Sequence, residues 1–228
     1  MLVIKNPTFR KILKIVVPFV LIPLVIIISA VIFKEKRYAF ISVAVALCSV
    51  LLFMAGFEKK KTGTRRLIIV AVMVVLSVVG RFIPFFKPIT ALTVITAIYL
   101  GGEAGFLVGS MSAVVSNFYF GQGPWTPFQM FAWGMIGLFA GYLALPLKKN
   151  RVALVIYGVM SGIAYSAIMD VWSVLWYNGS VTPELFLAAA VTAIPHTLLY
   201  AVSNMIFLWC FAKPFGDKLE RVKIKYGV

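Results

Sequence analysis

The chain has 228 residues, of which 62% are hydrophobic and 13% are charged, and its mean hydropathy is +1.00. A water-soluble domain needs more polar side chains than this to cover its surface, so the composition excludes that class and indicates one domain embedded in a bilayer. The formal net charge is +15, but the basic residues stand in short clusters between apolar runs. This distribution is typical of membrane topology signals and argues against a nucleic-acid partner.

Eight apolar segments are each interpreted as a membrane helix, which needs about 20 residues to cross a bilayer. The fourth and fifth are short, so we expect them to tilt or to be buried among neighbouring helices. Pro195 lies within the last segment and predicts a kink there. The sequence therefore predicts an all-α, polytopic membrane helical bundle. The segments run over 12–33, 38–57, 66–83, 88–101, 103–120, 127–147, 152–174 and 183–212.

The distribution of basic residues predicts the orientation of these segments. With the N-terminus inside, 17 Lys and Arg residues fall on the inner side and 5 on the outer side, which accounts for all 22. Inner loops of membrane proteins are enriched in Lys and Arg, so both termini are predicted to be cytoplasmic. Two termini on one side require an even number of spans, in agreement with eight.

A basic linker, Glu58–Arg66, divides the chain into two predicted domains. Residues 1–57 are predicted to form an N-terminal transmembrane hairpin that is rich in Val, Ile and Leu. Residues 66–228 are predicted to form a six-helix membrane domain that holds nearly all the Gly, Asn, Gln, Asp, His and Trp residues. We expect substrate binding in this second domain.

Three loops that the predicted topology places outside combine Pro and Gly with aromatic residues, over 80–88, 120–129 and 176–183. Aromatic faces with a few polar groups suit a flat, partly polar organic ligand. Single residues such as Trp176 also fit an aromatic belt at the membrane interface, and both readings stay open. The run 121–129 holds more Pro, Gly and amide side chains than anchoring needs, and Thr126 is predicted to cap the helix that follows.

Polar residues inside apolar segments are costly in a membrane and are therefore functional candidates. Asp170 could contact a ligand or form a helix–helix hydrogen bond, and His196 could contact a ligand or bind a carbonyl group freed by the neighbouring proline. The predicted substrate-binding residues are Arg81, Lys87, Asn117, Gln122, Trp125, Thr126, Gln129, Trp133, Asp170, Trp176, Tyr177 and His196.

Small residues recur at helical spacing in two neighbouring segments. Gly105 and Gly109 lie in one, and Gly134, Gly137 and Gly141 lie in the next. In lipid, small residues let helices approach closely, so we expect these glycines to be packing positions.

Several kinds of chemistry have no motif in this sequence. No Gly-x-x-x-x-Gly-Lys-Ser/Thr loop is present, so the chain is not expected to hydrolyse ATP. The sequence has one His and no cluster with metal-ligand spacing, and no Gly-x-Ser-x-Gly nucleophile motif occurs. We therefore expect no metal site, no cofactor and no enzymatic activity.

The loop from Gly80 to Pro88, the glycine turn from Gly101 to Gly109, Ser116-Asn117-Phe118 and above all the run from Gly121 to Met130 resemble a known family. These residues are similar to those of S components of energy-coupling factor (ECF) vitamin transporters, and the likeness covers residues 66–213.

The resemblance implies a bacterial plasma-membrane subunit that binds a vitamin or related micronutrient from outside, and the sub-type looks most like those assigned to cobalamin and corrinoid precursors. It also implies a membrane T component and two cytoplasmic ATPase subunits as partners. The family often has an Ala-x-x-x-Ala docking motif in the first core helix, whereas here Ala71 is followed by Val75.

Two alternative functions remain at this point. One is an intramembrane enzyme that uses Asp170 and His196, which requires those side chains to converge. The other is a structural or regulatory membrane protein that binds no ligand.

Overall fold

A computed structural model describes residues 4, 6–32, 38–56, 60–84 and 86–227. Regular structure in these residues is entirely helical, which confirms the predicted all-α membrane bundle. The helices are α1 (Pro7–Val16), α2 (Ile22–Ile32), α3 (Tyr38–Ala55), α4 (Lys60–Gly80), α5 (Ile89–Leu100), α6 (Gly102–Phe120), α7 (Thr126–Tyr142), α8 (Ala144–Lys149), α9 (Arg151–Asn178) and α10 (Pro183–Tyr226), with a π-helical turn, Val17–Leu21, between α1 and α2.

Three helical stretches of the described chain are long and apolar enough to cross a membrane by themselves: Pro7–Ile28, Arg151–Asn178 and Pro183–Tyr226. The number of spans and the orientation of the termini stay predictions. The last apolar segment continues as one helix of 44 residues, and both Pro195 and Pro214 lie inside it.

The chain supplies its own signals where several helices begin and end. The side chain of Asn150 accepts hydrogen bonds from the N–H groups of Val152 and Ala153 at 2.9 and 3.1 Å, which satisfies two free donors at the start of α9. Gly101 separates α5 from α6 and has a φ of +96°. A residue with a side chain would be strained in this backbone conformation, which is why the position suits glycine.

Close contact between α6 and α7 forms the centre of the bundle. A Cβ atom on Gly109 would lie 2.4 Å from the carbonyl oxygen of Trp133, and one on Gly137 would lie 2.5 Å from the carbonyl carbon of Gly105. Only hydrogen atoms therefore fit between these backbones, as expected for helices that pack through small residues in lipid. Helix α5 lies against both, and its residues from Ile89 to Ala97 are all buried.

The N-terminal helices pack against this centre, since α3 contacts both α6 and α7. The Nζ atom of Lys14 lies 2.6 Å from Oε1 of Glu103 at the start of α6. Arg66, in α4, donates hydrogen bonds to the carbonyl groups of Leu100 and Gly56. Polar contacts thus join α1 to α6, and α4 to the end of α5 and to the residue that follows α3.

We expect the substitution Gly137→Ala to lower the thermal midpoint of the purified protein by several degrees. The added methyl group has to separate α6 from α7, and overpacking of this kind costs about 1–3 kcal/mol. The measurement is thermal unfolding in detergent. Ala71→Val is the control, because Ala71 faces outward from α4; equal midpoints for the two variants would contradict the close contact.

Candidate substrate-binding site

Arg81 follows the last residue of α4 and extends its side chain into the bundle. Its Nη1 atom donates hydrogen bonds to Oγ of Ser116 at 2.5 Å and to Oδ1 of Asn117 at 2.6 Å. The guanidinium carbon lies 4.6 Å from the centre of the Phe120 ring. The Arg81 side chain is half-buried and its hydrogen-bond partners are neutral oxygens, so this environment favours a partner that offsets the positive charge.

Asn117 connects the arginine to α7. It is 1% exposed, and its Nδ2 atom donates to Oγ1 of Thr126 and to Oε1 of Gln129, both at 2.8 Å. Gln129 in turn donates from Nε2 to the hydroxyl oxygen of Tyr165 on α9 at 3.0 Å. A continuous line of hydrogen bonds therefore runs from the loop after α4 through α6 and α7 to α9.

The turn before α7 is hydrogen-bonded to the same network. The hydroxyl group of Thr126 donates to Oε1 of Gln122 at 3.0 Å and accepts from the N–H of Gly123 at 3.3 Å. Helix α7 begins at Thr126, with Trp125 at the N-cap position, so the predicted cap was wrong by one residue. The physical reason is that this threonine hydroxyl bonds to the turn and to Asn117 and not to the N–H groups of the helix.

Aromatic rings pack next to the amide side chains of Asn117 and Gln129. Trp133 is 1% exposed, stacks on Tyr165 with ring centres 4.6 Å apart, and donates from its indole N–H to Oγ1 of Thr90 at 3.2 Å. Tyr165 also contacts Tyr200 of α10, with ring centres 5.0 Å apart. Buried aromatic rings therefore pack next to hydrogen-bonding groups here, a combination of side chains that also lines pockets for ring-shaped ligands.

Lys87 brings a second positive charge to this region. Its backbone N–H donates to Oγ of Ser203 at 2.9 Å, and its Nζ atom lies 5.7 Å from the centre of the Tyr200 ring. Burial, and then the charge of Arg81, lower the pKa of Lys87. Within the part of the chain that the structure describes, neither Arg81 nor Lys87 forms a salt bridge with a carboxylate.

Three tryptophans form a second aromatic group beside the network. The rings of Trp125 and Trp172 are 5.8 Å apart at 77°, and those of Trp172 and Trp176 are 6.4 Å apart at 21°. The indole nitrogen of Trp172 is buried and has no hydrogen-bond acceptor among the described residues. A buried donor without an acceptor is costly, so it favours a ligand that accepts a hydrogen bond.

Asp170 and His196 do not share a site. Asp170 is 9% exposed and lines a pocket of about 420 Å³ between α9 and α10, together with Ser166, Thr197 and apolar side chains. His196 is exposed and does not line this pocket. Tyr177 is 76% exposed and lies outside the network as well.

The structure therefore brings together six of the predicted residues in one hydrogen-bonded and stacked group: Arg81, Asn117, Gln122, Thr126, Gln129 and Trp133. Lys87 borders this group through Tyr200, and Trp125 and Trp176 lie in the tryptophan group.

Sequence reasoning missed several residues of these groups: Thr90, Ser116, Tyr165, Trp172, Tyr200 and Ser203. Tyr165 and Tyr200 could have been found by one signal, which is a phenol hydroxyl near the middle of an apolar run.

Comparison with protein families finds a match to the family model described as "ECF transporter, substrate-specific component", over residues 65–213. No curated protein and no solved structure matches the chain. The matched span contains every residue of the hydrogen-bonded group.

We expect Asn117→Ala to lower the free energy of unfolding by about 1–3 kcal/mol, because the groups of Arg81, Thr126 and Gln129 that bond to it would lose buried partners. Thermal unfolding in detergent measures the effect. Asn178→Ala, at the exposed end of α9, removes the same side chain and is expected to change stability little. A neutral Asn117→Ala variant would show that the network does not stabilise this fold.

Proposed function

The chain belongs to the family of ECF transporter substrate-specific components, and from this premise we propose that it captures a ring-containing vitamin or related micronutrient that carries an anionic group, at the end of the bundle formed by the loops after α4 and α6. The family is one of transport subunits that bind a small molecule and not of enzymes. It implies a membrane T component and ATPase subunits as partners, which agrees with the absence of an ATP-binding loop from this sequence.

The observation that carries the proposal is the pair of half-buried cations, Arg81 and Lys87. Burial, and then the charge of Arg81, lower the pKa of Lys87, and neither cation forms a salt bridge with a carboxylate among the described residues. Holding two like charges near each other in a poorly solvated place costs free energy unless an anion joins them. A carboxylate or phosphate group of the ligand would supply that anion, with the guanidinium group as its directional donor.

The aromatic groups indicate the rest of the ligand. Trp125, Trp172 and Trp176 offer ring faces and edges, and the buried indole N–H of Trp172 finds no acceptor in the described part of the chain. These features suit a large ring that carries carbonyl or amide groups. Cobalamin combines a corrin ring, peripheral amides and a phosphodiester, and it is our first candidate, with corrinoid precursors next.

An enzyme that uses Asp170 and His196 is the weaker alternative. Such a reaction needs both side chains at one reacting centre. Asp170 lines a pocket between α9 and α10, whereas His196 is exposed and outside it. The family match favours substrate binding and transport over catalysis of a reaction.

We expect the purified protein to bind cobalamin without ATP, and to bind it more tightly than cobinamide, which lacks the phosphodiester. Arg81→Gln and Lys87→Gln should each weaken cobalamin binding about 10- to 100-fold, since a hydrogen bond to a charged group contributes ~1.5–3 kcal/mol. Their effect on cobinamide should be smaller. Isothermal titration with both ligands, and with riboflavin and queuosine precursors, measures these differences.

Lys218→Gln is the matched control, because it removes one exposed positive charge from the far part of α10. Mass spectrometry of small molecules that co-purify with the wild-type protein identifies the ligand independently. If no compound of this panel binds and no small molecule co-purifies, capture of a vitamin is contradicted. If cobinamide binds as tightly as cobalamin and the two Gln variants do not weaken cobalamin binding, only the role of the two cations is contradicted.

The outward face of α4 is our proposed contact for the T component. Ala71 and Val75 stand at the spacing of the family's two alanines, with valine in place of the second, and both are exposed, together with Val72 and Val79. We expect Ala71→Trp to lower ATP-dependent uptake in cells that supply the T component and ATPases at least fivefold, with ligand binding unchanged, because a bulky ring prevents close helix approach. Leu187→Trp on the exposed side of α10 is the control; equal uptake by both variants would exclude this face.

A further inference from the structure

A second pocket lies at the opposite end of the bundle from the tryptophan group, where α5 and α8 end, α9 begins and α10 passes. Its volume is about 330 Å³. Helix α9 connects the two ends, since it begins at Arg151 beside this pocket and carries Trp172 and Trp176 near its other end. This pocket is therefore separate from the candidate substrate-binding site.

Four basic side chains line the pocket, namely Lys148, Lys149, Arg151 and Lys213, against the acids Asp217 and Glu220. Lys148 is neutralised by Glu220, with Nζ 2.6 Å from Oε2. Two positive charges remain in excess after both acids are counted. Neither Lys149 nor Lys213 forms a salt bridge within the described residues.

Arg151 is held in place at the rim of the pocket by Trp209, which is an uncharged partner. Its guanidinium carbon lies 4.1 Å from the centre of the Trp209 ring, and the group donates a hydrogen bond to the Trp209 carbonyl oxygen. A carbonyl group carries no net charge, so the guanidinium charge stays available to an anion in the pocket.

Apolar side chains lie next to these charged groups, as binding of a lipid with a charged headgroup and apolar acyl chains requires. Ile95, Leu147 and Leu154 line the pocket itself. Trp209 is 48% exposed and one helical turn before Lys213, and Leu145 is 73% exposed and one turn before Lys149. Residues four apart share a helix face, so each free lysine adjoins an exposed apolar surface.

We propose that this pocket binds the phosphate headgroup of an anionic phospholipid, whose acyl chains lie along the exposed faces of α8 and α10. Basic pockets between membrane helices bind headgroups of this kind. A free phosphate ion would use the cations alone and would leave Leu145 and Trp209 without a role, so the apolar surroundings favour the lipid.

Native mass spectrometry of the full chain, with equal amounts of phosphatidylglycerol and phosphatidylcholine added, tests the proposal. We expect wild-type protein to retain one phosphatidylglycerol molecule in preference to phosphatidylcholine. The double variant Lys149→Gln/Lys213→Gln should retain at least fivefold less. Lys218→Gln/Lys225→Gln removes the same charge from α10 residues outside the pocket and should behave as the wild type.

A gain-of-binding variant keeps the test independent of folding. Asp217→Asn removes a pocket acid that has no salt bridge among the described residues, so phosphatidylglycerol retention should rise. Equal retention of both lipids, or an equal loss in the two double variants, would overturn the proposal. Stabilisation by inorganic phosphate that phosphatidylglycerol does not exceed would assign the pocket to a soluble anion and would overturn it as well.

Discussion

The site depends on how closely α6 and α7 approach each other. Gly109 lies against the backbone of Trp133, and Gly105 lies against Gly137, so no side chain separates the two helices over this stretch. At this spacing the amide of Asn117 on α6 reaches Thr126 on α7 directly. In lipid, apolar burial gives helices little reason to associate, so this packing and the hydrogen bonds it permits hold the centre together.

That packing also explains how a positive charge is tolerated inside the bundle. Arg81 bonds to Ser116 and Asn117, which are fixed by α6, and its charge is then only partly compensated by neutral oxygens. The network positions the guanidinium group without neutralising it. If the protein captures an anionic group here, as proposed, the ligand would meet a guanidinium group that is already positioned and still charged.

The two ends of α9 and α10 have different chemistry. Trp172 and Trp176 lie near the end of α9, beside the candidate substrate site, whereas the start of α9 and the later part of α10 line a pocket with an excess of basic side chains. A helix of 28 residues and one of 44 residues connect these regions. A lipid held at one end would therefore contact the same two helices that border the ligand at the other, within a subunit whose family works by binding and release.

The sequence by itself determined the helical membrane class, the family and most of the polar group around Asn117, because hydropathy, glycine spacing and the 121–130 run are local properties of the chain. Only the tertiary structure decided that Tyr165 and Tyr200 complete this group and that His196 lies outside it. The physical reason is that the direction a side chain takes from a buried helix depends on which neighbours surround that helix. An apolar run that is hydrophobic all round gives no sign of this direction.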